Sequence, residues 1–444
     1  MKKEIHVWET NEISLLAENE YENPYMDVVV WAVLEGPDYC RKVYGFWDGG
    51  RDFRIRVTAT KPGIWKYRTD SNVVDSGLKG IEGAYIAKPW SEEEKKENPV
   101  RRGVIQATPD GHCLQYADGT PYIMVGDTWW ALATKHFAWI DDETERPLGP
   151  EMTMKDMARM RRSQGYNTVG MIATFPTWAT DEYPNHIELG DEKHTYIRSA
   201  WTNNGCRPAR AGEGPVPRAK DMSNEGGRPF EQPGLIPGFE TVAPDLNQIN
   251  PEYFKVLDKK IKWLNEQGFT VFIEVTRRDC STVFKNFYDW PMTYTRLIQY
   301  VFARYQTRNI LFSPIHFDCV LHSIDAREFN EAINLFIDLY GEPPFGTLMG
   351  ANSQPHSMIN FGGPDEQHWM TFQQLANYRE HDYYWHLVDG YYRSRTPAIN
   401  GEPYYSGHQS LYLRDEDGNI VGAKPATSPY DEEDQLNCRS GYFG

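Results

Sequence analysis

The N-terminal part of the chain alternates apolar and polar residues in short segments. Phe53–Thr60 has a period of two, which is typical of a half-buried strand, and Ile64–Thr69 follows a Lys-Pro-Gly turn as its predicted hairpin partner. Asp27–Leu34 is more continuously apolar and is predicted to be a central strand. Several short strands at this spacing predict a small all-β, immunoglobulin-like sandwich over residues 1–88.

A charged stretch follows these strands. Ser91–Pro99 contains mostly Glu and Lys and has no pattern of core residues. We therefore predict a linker over residues 89–103 and a second domain over residues 104–444.

In the second domain, strand and helix patterns alternate. Helices are predicted over Glu151–Gln164, from Asn250 to Gly268, and over Met292–Gln306, Asp325–Tyr340 and Glu380–Tyr392. The predicted strands are Tyr122–Trp130, Tyr166–Thr174, Phe269–Thr276, Ile310–Asp318, Gly346–Asn352, Trp369–Gln373 and a last one that ends at Glu402. This alternation predicts a parallel α/β architecture, and acids at the strand ends favour a (β/α)8 TIM barrel.

Two stretches do not follow this alternation. Residues 179–249 form a long polar insertion, rich in Gly, Pro, Asn and Glu, which is interpreted either as a lid or binding loop or as a disordered segment. Ser406–Gly444 is mostly loop-like, with a short helical pattern near Glu432–Tyr442. No eighth strand follows Glu402, so we expect that the sequence stops before the last barrel unit.

Charge and composition exclude some functions. The formal net charge of −17 disfavours nucleic acid and anionic lipid as partners, and no run is long and apolar enough for a membrane span. The N-terminus has no apolar stretch, which predicts a cytoplasmic protein or one whose leader was removed. The six cysteines are scattered singly and are expected to be reduced and mostly buried. No cofactor motif is present.

Two strand-terminal acids are the candidate catalytic residues. Glu402 follows a short apolar strand and precedes Pro403 and Tyr404, and Asp318 ends the predicted strand about 85 residues earlier. Barrel enzymes place catalytic groups at the C-terminal ends of strands, so both acids are expected at the same rim. A solvent-exposed turn is the alternative for Glu402 alone.

Other residues at the strand ends are candidates for ligand binding. Glu274 is interpreted either as a third acid inside the barrel or as the partner of a helix residue. Arg278 is considered together with Arg277, either as ligand-binding residues or as surface partners of Asp279. The remaining candidates are polar or aromatic residues near predicted strand ends, namely Asp127, Trp129, Trp130, Arg277, His316, Asn352, His356, Gln373 and Tyr404.

One short cluster of the sequence contains potential metal ligands. His316, Asp318, Cys319 and His322 are all potential zinc ligands. Four ligands within seven residues, running from a strand into a turn, are poorly placed to converge on one ion. We therefore predict no metal.

Several blocks, in order, resemble the apiosidase-like catalytic-domain family, which includes glycoside hydrolase family 140 and commonly carries an N-terminal immunoglobulin-like domain. The blocks are Phe46–Gly50, Trp65–Tyr67, Tyr116–Pro121, Val125–Trp129, Gly165–Asn167, Trp369–Gln373 and Asn400–Pro403. The stretch Pro314–Asp318 departs from the family pattern because it lacks a Gly-rich turn, which argues for a different substrate subgroup. The resemblance also implies an aromatic, Gly-rich last strand, which we expect beyond the end of this sequence.

The resemblance implies a retaining glycoside hydrolase that acts on a complex plant or microbial glycan. Such a reaction needs two carboxyl groups about 5–5.5 Å apart. Glu402 is then the expected nucleophile and Asp318 the acid/base, with an oligosaccharide or polysaccharide as the partner. Two alternatives stay open, namely a non-catalytic carbohydrate-binding protein on a degenerate barrel and a metal-dependent hydrolase.

Overall fold

The structure of the protein is a computed structural model. It describes residues 3–174, 223–235, 244–277, 285, 287–317, 325–353, 356–376, 388, 392, 395–402, 412–414 and 420–423.

The N-terminal region is an all-β unit of two sheets. Its strands are β1 (Lys3–His6), β2 (Asn11–Leu16), β3 (Val30–Gly36), β4 (Tyr39–Tyr44), β5 (Phe46–Trp47), β6 (Asp52–Val57), β7 (Gly63–Ser71) and β8 (Glu82–Lys88). One sheet has the order β1-β8-β7-β3-β4 and the other has the order β2-β6-β5. A short helix, α1 (Pro24–Asp27), connects β2 to β3.

The two sheets share one apolar core. Phe53 of β6 and Trp65 of β7 are both fully buried in it. Strand β3 is central, as predicted, and lies between β7 and β4. The predicted hairpin of β6 with β7 is wrong, because the two strands lie in different sheets. Alternation of apolar and polar residues shows which side chains of a strand face the core. The same pattern is compatible with any partner strand, so it does not identify the strand that pairs with β6.

The predicted linker contains a helix, α2 (Glu92–Glu97), and a 3-10 turn, Pro99–Arg102. Ser91 and Glu94 form a capping box, in which each side chain accepts a hydrogen bond from the backbone N–H of the other residue. No side chain of α2 is buried. The helix is therefore stabilised by its cap and by ion pairs rather than by a core.

The α/β region begins with a small hairpin, β9 (Ile105–Ala107) and β10 (Leu114–Tyr116). Its further strands are β11 (Gly126–Thr128), β12 (Thr168–Thr174), β13 (Phe230–Glu231), β14 (Asp245–Ile249), β15 (Thr270–Thr276), β16 (Ile310–Ser313), β17 (His316–Phe317), β18 (Asn352–Ser353), β19 (Gln373–Ala376) and β20 (Ala398–Glu402). Its helices are α3 (Met154–Ser163), α4 (Pro251–Glu266), α5 (Met292–Tyr305), α6 (Ala326–Tyr340) and α7 (Ser357–Phe361), with a 3-10 turn at Lys135–Phe137.

The parallel strands follow one another in sequence order. The strands β11, β12, β15 and β16 form one parallel sheet, and β17 pairs with β18 and β19 with β20, also in parallel. A bridge from Phe312 to Met349 and a bond from Phe372 N–H to the Met349 carbonyl connect these groups. The described region is therefore a mixed α/β fold with seven successive parallel strand positions.

Two apolar cores lie on opposite faces of these strands. The larger one packs the helices against the outer face, through residues such as Phe254 and Val271. The smaller one fills the inner face with Phe272, Leu311 and Ile399, and the β9–β10 hairpin contributes to it. A side chain two residues beyond an inner-face residue points to the same side of its strand.

Parts of the insertion and of the tail are described. The strands β13 and β14 pair antiparallel, with Phe230 and Leu246 buried, so regular structure begins before Asn250. In the tail, Tyr412–Arg414 and Ile420–Ala423 form an antiparallel pair where loop was predicted. The predicted helices at Glu380–Tyr392 and Glu432–Tyr442 fall mostly or wholly outside the described residues.

Two smaller expectations can also be compared with the structure. Cys40 and Cys113 are free thiols but exposed, whereas buried thiols were predicted. Within the described ranges, no helix has the length and apolar character needed to cross a membrane.

Candidate active site

Glu402 ends β20 and is buried, with 4% of its surface exposed. The ladder to β19 shifts register there, since Leu375 faces Asn400 and Ala376 faces Glu402. Gly401 is thus the extra residue of a bulge, and the bulge turns Glu402 to the inner face shared by Ile399. A Cβ at Gly401 would lie 1.8 Å from Oε1 of Gln374, so a larger residue there would require the buried Gln374 side chain to move.

Asn352 of β18 holds the carboxylate of Glu402. Its Nδ2 donates to Oε2 of Glu402 over 2.7 Å, and the amide is fully buried. Hydrogen bonds to a charged group are among the stronger ones in proteins. This bond fixes the orientation of the Glu402 carboxylate and stabilises its negative charge.

Glu274 is a second buried acid in the same site. It lies two residues beyond Phe272, so it points to the inner face, and it is 0% exposed. Its Oε2 makes a short contact with Nδ1 of His316. Burial raises the pKa of Glu274 well above its ordinary value, and the nearby charge of Glu402 raises that pKa further.

Trp130 covers His316 from the loop after β11. The two rings meet edge to face at 4.7 Å. This loop is held from below by Lys260 of α4, whose Nζ donates to the carbonyls of Leu132, Thr134 and Phe137 over 3.0, 2.9 and 2.7 Å. The loop that carries Trp130 is therefore anchored to the helix layer.

The structure brings several predicted site residues together. His316, Asn352 and Glu402 form a contact chain, in which Nδ2 of Asn352 also lies 3.4 Å from Nδ1 of His316. Arg277 is half-buried, and its backbone forms a parallel β-bridge with that of His316 at the ends of their strands. His356 is buried beside β19, where it pairs with Leu375.

Asp127 and Trp129 lie away from this chain. Asp127 pairs with Val169, a residue of the helix-side core, and its carboxylate accepts from Arg161 of α3 over 2.5 Å. Trp129 is buried against Phe137 and donates its indole N–H to Asp127 over 2.9 Å. Ligand binding by this pair stays a prediction, and the contacts described are structural.

Gln373 also makes a contact outside the chain. Its Nε2 donates to the hydroxyl of Thr396 over 3.0 Å. Asp318, Tyr404 and Arg278 lie outside the described residues, as do Cys319 and His322 of the weighed metal cluster. The predicted acid/base role of Asp318 therefore stays a prediction.

Sequence reasoning missed Gln374 and left Glu274 undecided. Gln374 is fully buried against Gly401, and neither its amide oxygen nor its nitrogen has a hydrogen-bond partner in the part of the chain described. The sequence does contain a signal for Glu274. An ionisable residue within a strand that is apolar along its length is unusual, which favours a functional role. Gln373 and Gln374 differ only in strand face, which their neighbours in sequence do not reveal.

A metal centre finds no support among the described residues. There, no group of three or more His, Cys, Asp and Glu is arranged to hold an ion.

The fold is shared with a protein of known structure that is described as a putative glycoside hydrolase. A "putative glycoside hydrolase" from Bacteroides vulgatus ATCC 8482 superposes with a TM-score of 0.53, at 19% identity over 79% of this chain and 56% of that one. A glycoside hydrolase family 5 structure from the same organism has a TM-score of 0.43, with 15% identity over 73% of this chain and 57% of that one. The chain thus spans little more than half the length of these structures.

Family comparison gives a closer assignment. Residues 108–424 match the apiosidase-like catalytic domain, and residues 4–72 match a domain of unknown function (DUF5060). The chain therefore belongs to the apiosidase-like family, and the predicted resemblance is confirmed. A search of the curated proteins found no match.

Proposed function

We propose that the protein is a glycoside hydrolase that cleaves a glycosidic bond in a complex plant or microbial glycan. The observation that carries this proposal is the buried carboxylate of Glu402 at a strand end, which accepts a hydrogen bond from the side-chain amide of Asn352. Family membership supports the same reaction class.

The proposed reaction is a double displacement with retention of configuration. Glu402 attacks the anomeric carbon, the bond to the leaving oxygen breaks, and Asp318 donates a proton to that oxygen. Asp318 then takes a proton from water, which attacks the same carbon and releases Glu402. The amide of Asn352 supports this role of Glu402, because it orients the attacking oxygen.

Unpartnered polar atoms beside Glu402 support a polyhydroxylated ligand. Oε1 of Glu274, Oδ1 of Asn352 and both amide atoms of Gln374 are buried without a hydrogen-bond partner in the described part of the protein. Buried polar groups are normally satisfied, so these atoms have bonding capacity that the described residues do not use. Sugar hydroxyls both donate and accept, and they match this set.

We also propose the finer architecture predicted from the sequence. Seven successive parallel strand positions, with helices on one face and a small apolar core on the other, support a (β/α)8 barrel. The two N-terminal sheets around one core support an immunoglobulin-like arrangement.

Hydrolysis of a panel of plant and bacterial oligosaccharides tests the proposal. We expect release of a sugar, with the first-formed product in the anomeric form of the substrate when followed by proton NMR. Glu402→Gln and Asp318→Asn are each expected to abolish release. Binding of a glycan without release would contradict the proposal and favour a carbohydrate-binding protein. An inverted product would contradict the double displacement alone.

A further inference from the structure

The contact chain from Glu402 to Glu274 fixes where protons lie in the site. An amide beside a carboxylate presents its N–H group, because the carbonyl oxygen would be repelled by the negative charge. The charge on Glu402 therefore sets the orientation of Asn352, with Nδ2 toward Oε2 at 2.7 Å.

The orientation of Asn352 then restricts the tautomer of His316. The same Nδ2 lies 3.4 Å from Nδ1 of His316. If Nδ1 carried a proton, two donors would face each other. A lone pair on Nδ1 avoids this repulsion, so the neutral ring carries its proton on Nε2.

The tautomer of His316 in turn requires a donor on Glu274. The Oε2 of Glu274 makes the short contact with Nδ1. Because two lone pairs repel at that separation, one of the two atoms holds a proton, and the preceding step places it on the oxygen.

We infer that Glu274 is a positioning residue, held as a neutral carboxylic acid that donates its proton to Nδ1 of His316, so that Glu402 is the charged member of the buried acid pair. This inference deepens the proposed function, since it describes how the ionised state of the proposed nucleophile is maintained.

The surroundings of Glu274 support a neutral acid. Its ladder neighbours are Ile172 on β12 and Ser313 on β16, and neither is charged. Among the described residues, the titratable groups that face it are His316 and Glu402, and Arg277 on its own strand lies beyond at the edge. Burial and the charge of Glu402 both raise the pKa of Glu274, which favours the protonated form that the contact geometry requires.

Infrared difference spectroscopy tests the proton directly and needs no substrate. We expect the wild-type spectrum minus that of Glu274→Gln at pH 7 to contain the C=O stretching band of a protonated carboxylic acid. In the Glu402→Gln background, the band should disappear at a lower pH than in the wild type, because the neighbouring charge is gone. If no such band is lost in Glu274→Gln, or if that neutral isostere does not fold, the inference is overturned.

Kinetics test the positioning role on a substrate identified by the panel. Glu274→Gln retains a donor toward Nδ1 of His316, whereas Glu274→Leu does not. We expect the Gln variant to be about tenfold more active than the Leu variant in kcat/KM, the value of one hydrogen bond. Equal losses would contradict the inference.

A pH profile separates the role of Glu274 from that of Asp318. An aryl glycoside with a good leaving group needs no proton from an acid/base residue. On such a substrate the wild-type rate should fall at the pH where Glu274 ionises, and this fall should be absent in Glu274→Gln. The same fall in both proteins would contradict the inference. Failure of all hydrolysis would contradict the proposed function and leave the infrared test decisive for Glu274.

Discussion

At the scale of single residues, the proposed chemistry depends on how the carboxylate of Glu402 is kept charged while it is buried. Burial penalises the charged form of an acid, and here Asn352 offsets part of that penalty with a bond of 2.7 Å to Glu402. The amide is uncharged, so it stabilises the anion without forming an ion pair that would compete with a substrate.

Replacing Asn352 should therefore lower the reaction rate more than the affinity for substrate. A hydrogen bond to a charged group contributes about 1.5–3 kcal/mol, so we expect Asn352→Ala to lower kcat by about 10- to 100-fold. Asn352→Asp should lose more, because it places a second negative charge beside Glu402. Steady-state kinetics of the two variants check this, and equal kcat for wild type and Asn352→Ala would contradict the role.

Residue identity was predicted from the sequence better than residue orientation. His316, Asn352 and Glu402 were predicted at strand ends and meet in one site, because parallel strands place their ends at a common edge. Asp127 satisfied the same rule but lies on the helix side, bonded to Arg161. The bulge at Gly401 decides which face Glu402 occupies, and it lies in the pairing with β19, which is distant in sequence.

At the scale of elements, the loop after β11 depends on one lysine. Lys260 is fully buried, and burial lowers its pKa to about 8. Its three bonds to carbonyls satisfy backbone groups of the loop that positions Trp130 over His316.

Lys260→Met should destabilise the protein by about 2–4 kcal/mol, because it leaves buried carbonyls without donors. It should also lower activity, since Trp130 loses its support. Lys259→Met is a matched control, because Lys259 is half-exposed and its ion-pair partner among the described residues is the exposed Asp141. The free energy of unfolding in urea checks both variants. Similar values for both would contradict the anchoring role of Lys260.

Helices were predicted more accurately than strand partners. Asn250 and Pro251 marked the start of α4, and the side chain of Asn250 does accept from the Glu252 N–H. Such caps are local and can be recognised in sequence. Pairing between β6 and the other strands is non-local, and the predicted hairpin failed for that reason.

At the scale of the whole molecule, a network of charges joins the N-terminal sheets to the helix layer. Asp258 of α4 accepts from Arg56 of β6 over 2.6 Å and from Arg304 of α5 over 2.7 Å. Arg304 also pairs with Asp48 at 3.0 Å. The two arginines hold the pKa of Asp258 well below its usual range, although burial opposes them.

Asp258→Asn should destabilise the protein by about 3–5 kcal/mol at pH 7, because it removes the carboxylate that two arginines share and leaves them with only Glu12 and Asp48 as acidic partners among the described residues. Because the pKa of Asp258 is lower in the folded protein than in the unfolded chain, its ionised form stabilises the fold above the unfolded pKa of about 4. This stability is lost as the pH falls from that value toward the folded pKa. The difference between wild type and variant should therefore shrink between about pH 4 and pH 2. Thermal unfolding at several pH values checks this, with exposed Asp338→Asn as control. A difference that does not change with pH would contradict the network.

Within the described residues, most of the order of elements was predicted because helix and strand periods alternate in the sequence. Seven strand positions and the main helices were predicted near their observed places. The insertion and the tail were not, since Phe230 and Leu246 are buried in a core that is assembled from distant parts of the chain.

The role of Glu402 is tested most directly by the kcat/KM of wild type, Glu402→Gln and the exposed control Glu342→Gln, on a substrate that the wild type hydrolyses. Glutamine keeps the size of the side chain and removes the nucleophile. We expect Glu402→Gln to lose about three orders of magnitude or more while the control is unchanged. Wild-type activity in a folded Glu402→Gln variant would show that Glu402 is not the nucleophile and that the site must be assigned elsewhere.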